Sequence, residues 1–245
     1  MTIENDDQLQ KLKQIGAIVG DTLRLLGRHV TAGITTQELD DIASRELARL
    51  GARSAPRLVY DFPGTTCISI NNEAAHGVPS NRVLQEGDVV NIDVSAEKDG
   101  YFADTGRSFA VGVIDTRARR LLETGQTALR KACFKARSKQ KLRVIGKTVE
   151  NCVTDAGFSV IRDLSGHGVG RSIHEEPSVL NYDHPSGNMR LRKGDVIAIE
   201  PVISTGPGFI DTAADGLTYV VPEGHICAQF EHTIVITDRA PIILT

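Results

Sequence analysis

Apolar positions recur at helical spacing over residues 7–26, on the stripe Leu9, Leu12, Ile15, Ile18 and Val19. The pattern predicts an amphipathic helix, with Gly27 suited to its end. Thr35 and Glu38 match a capping box, and Leu39, Ile42 and Leu47 follow at helical spacing, so a second helix starts at Thr35. Strand-like segments come next at 67–71, 89–96 and 101–113. The order then repeats, with helix patterns at 115–136 and 146–156 and strand-like runs at 196–203 and 228–237. No sequence repeat accompanies it, and no linker or low-complexity tract interrupts it. The expectation is one domain over 1–245, built from two structurally similar halves.

Composition narrows the classes. At 40% hydrophobic and 24% charged residues, the 245-residue chain is able to bury a sizeable core. A net charge of −3 and a pI near 6.2 offer little to a phosphate backbone, so nucleic acid is not expected as a direct partner. The basic stretch at 130–143 reads as a solvated helix face. The first ten residues are polar and acidic, without the charge-then-apolar pattern of a signal peptide, and no apolar run reaches membrane-spanning length. Cys67, Cys133, Cys152 and Cys227 form no C-x-x-C pair, which fits reduced thiols and a cytoplasmic protein.

The chemistry concentrates in acids that interrupt apolar strands. In 89–94, Val90, Ile92 and Val94 face one way, while Asn91 and Asp93 face the other. If residues 97–100 form a four-residue hairpin loop, Asp93 pairs with Asp104, with Cβ atoms roughly 4.5–5.5 Å apart. Two carboxylates that close repel each other unless a cation lies between them. Glu200 and Glu231 also sit in apolar runs, and His167 lies among the glycines of 166–170. Four carboxylates and an imidazole make a fairly hard donor set, suited to two divalent ions such as Mn, Fe, Co or Zn. Glu200 or Glu231 could take a proton from an attacking water. The glycines fit neither a dinucleotide fingerprint nor a phosphate loop, so they are expected to allow close backbone approach around His167. Neither Ser69 nor Ser165 stands in a nucleophile elbow. His76 and His174 fall on loops; His29, His184, His225 and His232 read as structural or surface residues.

Taken in order, these segments resemble a family. They are Cys67-Ile68-Ser69-Ile70-Asn71, His76-Gly77-Val78-Pro79, Asn91-Ile92-Asp93-Val94, Asp99-Gly100 through Asp104-Thr105, Gly166-His167-Gly168-Val169-Gly170-Arg171, His174-Glu175-Glu176-Pro177, Ile199-Glu200-Pro201 and Gln229-Phe230-Glu231-His232-Thr233. Their order and spacing are similar to those of the type I methionine aminopeptidases, in the short bacterial form. The resemblance implies an α+β pita-bread (creatinase/aminopeptidase) fold, a curved antiparallel sheet covered by helices in two pseudosymmetric halves.

The resemblance also implies two divalent ions per chain, held by Asp93, Asp104, His167, Glu200 and Glu231, with Asp104 and Glu231 bridging. Glu200 would be the general base, and His76 and His174 would contact the substrate. Cys67 and Phe62 would line the side-chain pocket. Ile173 stands where the family commonly has Phe, and Leu217 where it commonly has Trp, so the pocket is expected to be more aliphatic. The implied reaction removes the N-terminal methionine of nascent proteins and peptides, preferring a small second residue. The implied setting is a cytoplasmic monomer working in association with the ribosome. Alternatives are an aminopeptidase of the same fold with different specificity, X-Pro included, and a non-catalytic peptide-binding homologue. The latter usually loses ligands, and every expected ligand is present here.

Overall fold

The structure, a computed structural model, describes residues 1–245. Its helices are α1 (Asp6–His29), α2 (Thr36–Arg49), α3 (Ala55–Tyr60), α4 (Thr116–Lys135) and α5 (Arg143–Asp155). In α1 the stripe Leu12, Ile15, Val19 and Leu26 is fully buried. Gly27 does not end this helix, which runs on to His29. Gly27 is a contact point instead: a Cβ there would sit 2.5 Å from the Phe109 ring. The capping box that opens α2 is formed, with the Glu38 amide donating to Thr35 Oγ1 (3.1 Å) and the Thr35 amide donating to Glu38 Oε2 (2.8 Å). The short α3 was not expected, because six residues carry too little of a 3.6-residue repeat to read. Its local signal is Ser54, whose side chain caps the helix, followed by Pro56 in the first turn.

In the first half, strands Val89–Lys98 and Tyr101–Ala110 form a long antiparallel hairpin. The turn between them is only Asp99-Gly100, both with positive φ (52° and 79°), which is the type I′ geometry that matches strand twist. The expected four-residue loop is therefore corrected to two residues, and the register moves with it. Asp104 faces Ser95, and Asp93 faces Gly106. The shift is by two positions, an even number, so Asp93 and Asp104 keep a common face as diagonal neighbours. Strand Cys67–Ile70 pairs on the other side of Val89–Lys98, setting Cys67 opposite Asp93.

In the second half, the two expected long strands are each broken. Residues 196–203 are strands Val196–Ile199 and Val202–Ser204, and residues 228–237 are strands Cys227–Gln229 and His232–Val235. Val196–Ile199 and His232–Val235 pair in a five-stranded sheet, while Val202–Ser204 and Cys227–Gln229 pair in a smaller one. The breaks lie opposite each other, at Glu200-Pro201 and Phe230-Glu231. Pro201 has no N–H to donate to a ladder, and both strands change sheet where the acids stand.

One core lies between α1, α2 and the first hairpin, and another between α4, α5 and the second set of strands. The halves join along their innermost strands. Arg107 bridges to Phe230, Glu231 donates its amide to Gly106 O (2.8 Å), and Asp104 donates its amide to Thr233 Oγ1 (2.9 Å). This is the pita-bread arrangement, with antiparallel sheets inside, helices outside and the seam running through the acidic residues. No helix is long and apolar enough to cross a membrane, and all four cysteines are free.

Candidate active site

At the seam lies a cavity of about 290 Å³ whose lining includes Asp93, Asp104, His167, Glu200, His76 and His174. Glu231 sits behind them, 1% exposed. Ligand atoms of Asp104, His167 and Glu231 all lie within 4.8 Å of one another. His167 Nε2 is 3.7 Å from Asp104 Oδ2 and 3.5 Å from Glu200 Oε1. All five residues expected to hold metal are thus brought to one place.

The backbone around His167 explains its glycines. A Cβ on Gly166 would lie 2.3 Å from Ala198 O, and one on Gly168 would lie 2.3 Å from Glu176 O. Only glycine lets the neighbouring strands close on this segment. The His167 ring is oriented by its own turn, since Nδ1 lies 2.9 Å from Gly168 O. An Nδ1–H donating to that carbonyl leaves the Nε2 lone pair aimed at the carboxylates. Burial pulls the His167 imidazole down to about 4. It is neutral at pH 7, so its Nε2 offers a lone pair to the carboxylate cluster and no ion pair.

The acids are strained electrostatically. Burial pushes the carboxyls of Asp104, Glu200 and Glu231 well above the usual range, and repulsion from neighbouring carboxylates adds to it. Asp93 is also raised by burial, partly offset by hydrogen bonds from Asp104 and Gln229. Asp104 Oδ1 and Glu231 Oε1 are buried without any hydrogen-bond partner. Buried acceptors left unpaired are costly, and divalent cations would satisfy both oxygens and neutralise the cluster. The residues present therefore fit a metal site of hard oxygen donors with one imidazole.

Sequence reading missed Gln229 as part of this cluster. Its amide nitrogen donates toward Asp93 Oδ2 (3.2 Å), Glu231 Oε2 (3.3 Å) and Glu200 Oε2 (3.5 Å). A neutral amide carries no charge to flag it; its position two residues before Glu231 was the available signal.

His76 follows strand Glu73–Ala75 with φ of 56°, and its ring lies 5.0 Å from that of Tyr219. The His174 ring meets His167 edge-on at 4.3 Å. Partial loss of hydration lowers the basicity of both. The rest of the wall is largely apolar: Phe62 and Cys67, as expected, with Pro56, Ile173 and Leu217. Burial raises the Cys67 thiol well above its usual value, so it is a neutral wall group and not a nucleophile.

Residues 10–238 match the sequence profile of metallopeptidase family M24. The chain belongs to that family. Among its curated relatives, "Methionine aminopeptidase 2" of Bacillus subtilis (strain 168) is 44% identical over 247 residues, covering 100% of this chain and 99% of that protein. The crystal structure of a methionine aminopeptidase from Thermotoga maritima superposes with a TM-score of 0.97 at 34% identity, over 100% of this chain and 99% of that one. A prolidase from Pyrococcus furiosus shares the fold at a TM-score of 0.79 and 23% identity, and this chain spans 65% of its length. As an M24 member, the chain is a metal-dependent hydrolase whose likeness to methionine aminopeptidases extends end to end.

Proposed function

We propose that this protein removes the N-terminal methionine from nascent proteins and peptides, preferring a small second residue. The observation that carries the reading is one cavity that joins a buried carboxylate–imidazole cluster to an apolar wall. The full-length likeness to methionine aminopeptidases supports it. The weaker likeness to prolidases concerns the fold alone.

Asp93, Asp104, His167, Glu200 and Glu231 would hold two divalent ions, with Mn, Co, Fe or Zn all suited to the donors. Such ions, when bound, supply Lewis acidity and make water a nucleophile near neutral pH. Glu200 lies at the cavity wall, its carboxyl pushed upward by burial and by the charge of Asp93, and a carboxylate so placed can act as a general base. It takes the proton from the attacking water and later delivers it to the leaving nitrogen. His76 and His174, both neutral, donate hydrogen bonds to the substrate backbone and to charge that develops on the carbonyl oxygen. Phe62, Cys67, Ile173 and Leu217 receive the side chain. An unbranched thioether adapts to such an irregular wall.

Its substrate being the start of a nascent chain, the protein would act in the cytoplasm, in association with the ribosome and as a monomer. The test is release of methionine from Met-Ala-Ser by metal-stripped protein after addition of Mn, Co, Fe or Zn, beside Leu-Ala-Ser and Met-Pro-Gly. Metal-dependent cleavage confined to Met-Ala-Ser is expected; equal cleavage of Leu-Ala-Ser would refute methionine selection. Glu200→Gln should lower kcat by at least ~100-fold, and a near-normal rate with metal bound would overturn its role as base.

A further inference from the structure

Helix α3 brings a hydroxyl to the cavity that the reading above does not use. Tyr60 is the last residue of α3, and Asp61 ends the helix in the left-handed conformation (φ 49°). The Tyr60 ring lines the cavity and is 55% exposed. Its hydroxyl hydrogen-bonds His174 Nδ1, and the two rings lie 5.6 Å apart at 44°. The other edge of His174 is set by His167 at 4.3 Å. His174 itself stands on an exposed loop before strand Glu175–Leu180. The imidazole's orientation therefore depends on what grips its ring.

From this juxtaposition we infer that Tyr60 is a positioning residue: its hydroxyl donates to Nδ1 of His174, holds the ring at the cavity and leaves the proton on Nε2. The inference rests on the proposed substrate-contacting role of His174. A neutral imidazole carries one proton, so an acceptor Nδ1 requires an Nε2–H donor. Burial and the negative charge of Asp104 push the Tyr60 phenol above its usual value, so the hydroxyl keeps its proton at neutral pH. Substrate charge is then met by an imidazole whose donor edge is fixed before binding, not selected from a rotating mixture.

The test is Tyr60→Phe, which keeps the ring and removes only the hydroxyl at a half-exposed site. It is compared with the unaltered protein, with Mn added and Met-Ala-Ser as substrate. The expected result is a kcat five- to tenfold lower, about 1–1.4 kcal/mol, with KM changed by less than about twofold. In 15N spectra of histidine-labelled protein, the unprotonated Nδ1 resonance of His174 should move when its donor is lost. In a His174→Ala background, Tyr60→Phe should cause no further loss of kcat. An unchanged kcat and an unmoved Nδ1 resonance would overturn the inference, as would a loss confined to KM, which would make Tyr60 a wall residue only. If His174→Ala alone keeps full kcat, the assigned role of His174 fails. If His174→Ala is slow and Tyr60→Phe is not, only the role of Tyr60 fails.

Discussion

Asp104→Asn separates function from stability in a way that the buried cluster makes quantitative. Asp104 is 6% exposed, and its Oδ1 has no hydrogen-bond partner. Two carboxylates about 4 Å apart repel by ~4 kcal/mol at an effective dielectric constant near 20. Part of that is relieved because the cluster takes up protons, so a net gain of ~1–3 kcal/mol is expected when Asn replaces Asp104 in chelator-treated protein. For a chain of this size each kcal/mol moves Tm by about 2–4 °C. The variant without metal should therefore melt about 2–12 °C above the unaltered protein. With metal at a thousandfold excess over Kd, the unaltered protein gains ~4 kcal/mol, a gain the variant should largely lose. The order of the two melting curves should thus reverse between chelator and metal.

The pH dependence has the matching sign. The folded-state carboxyl of Asp104 is raised by burial and by Asp93. Its contribution is fully present below the unfolded value of about 3.9 and is lost as pH rises through the folded value. Metal-free protein should weaken over that rise, and Asp104→Asn should flatten the slope. Differential scanning calorimetry across pH, with chelator and with Mn, measures all of this. A variant that melts at or below the unaltered protein in chelator would refute the reasoning, because the cluster would then carry no repulsion to relieve.

Gly166→Ala would place a Cβ 2.3 Å from Ala198 O, a backbone atom held in the sheet. A loss of ~2–4 kcal/mol is expected, with weaker metal retention because His167 must shift; urea midpoints and elemental analysis would show it, and unaltered values would refute the close packing. Asp40 is 1% exposed and accepts from the Thr65 amide (2.9 Å), the Thr66 amide (2.8 Å) and Thr66 Oγ1 (2.8 Å). Asp40→Ala should cost ~2–4 kcal/mol and raise KM, since the segment it ties down carries Phe62 to Cys67; a stability loss with KM unmoved would detach this anchor from the pocket. Thr35→Ala removes a formed capping box, so Tm should fall by the equivalent of ~1 kcal/mol with kcat intact. A changed kcat would show that α2 reaches the site in a way its packing does not suggest.

Legibility followed the range of the interactions. The α1 stripe and the Thr35 cap are local: each is written in residues three or four apart, and each formed as read. Four of the five metal-holding candidates were legible for a different reason. An acid within an apolar strand is costly wherever the strand goes, so Asp93, Asp104, Glu200 and Glu231 stood out before any pairing was known. The hairpin register did not follow, because loop length depends on whether Asp99 adopts positive φ. The error of two residues was harmless only because side chains alternate with a period of two. The two strand breaks at Glu200-Pro201 and Phe230-Glu231 were half written, in the missing N–H of Pro201. The other half lies in the change of sheet.

What the chain decides by itself is which residues are candidate donors and which helices cover them, since charge, apolar spacing and capping act over a few residues. Which oxygens end up without partners, that Gln229 reaches three carboxylates, and that Tyr60 grips a histidine 114 positions away were decided only by tertiary structure. Those contacts join segments whose sequences carry no mark of each other. They arise where two half-sheets close along a seam, and that closure is set by the packing of both cores together.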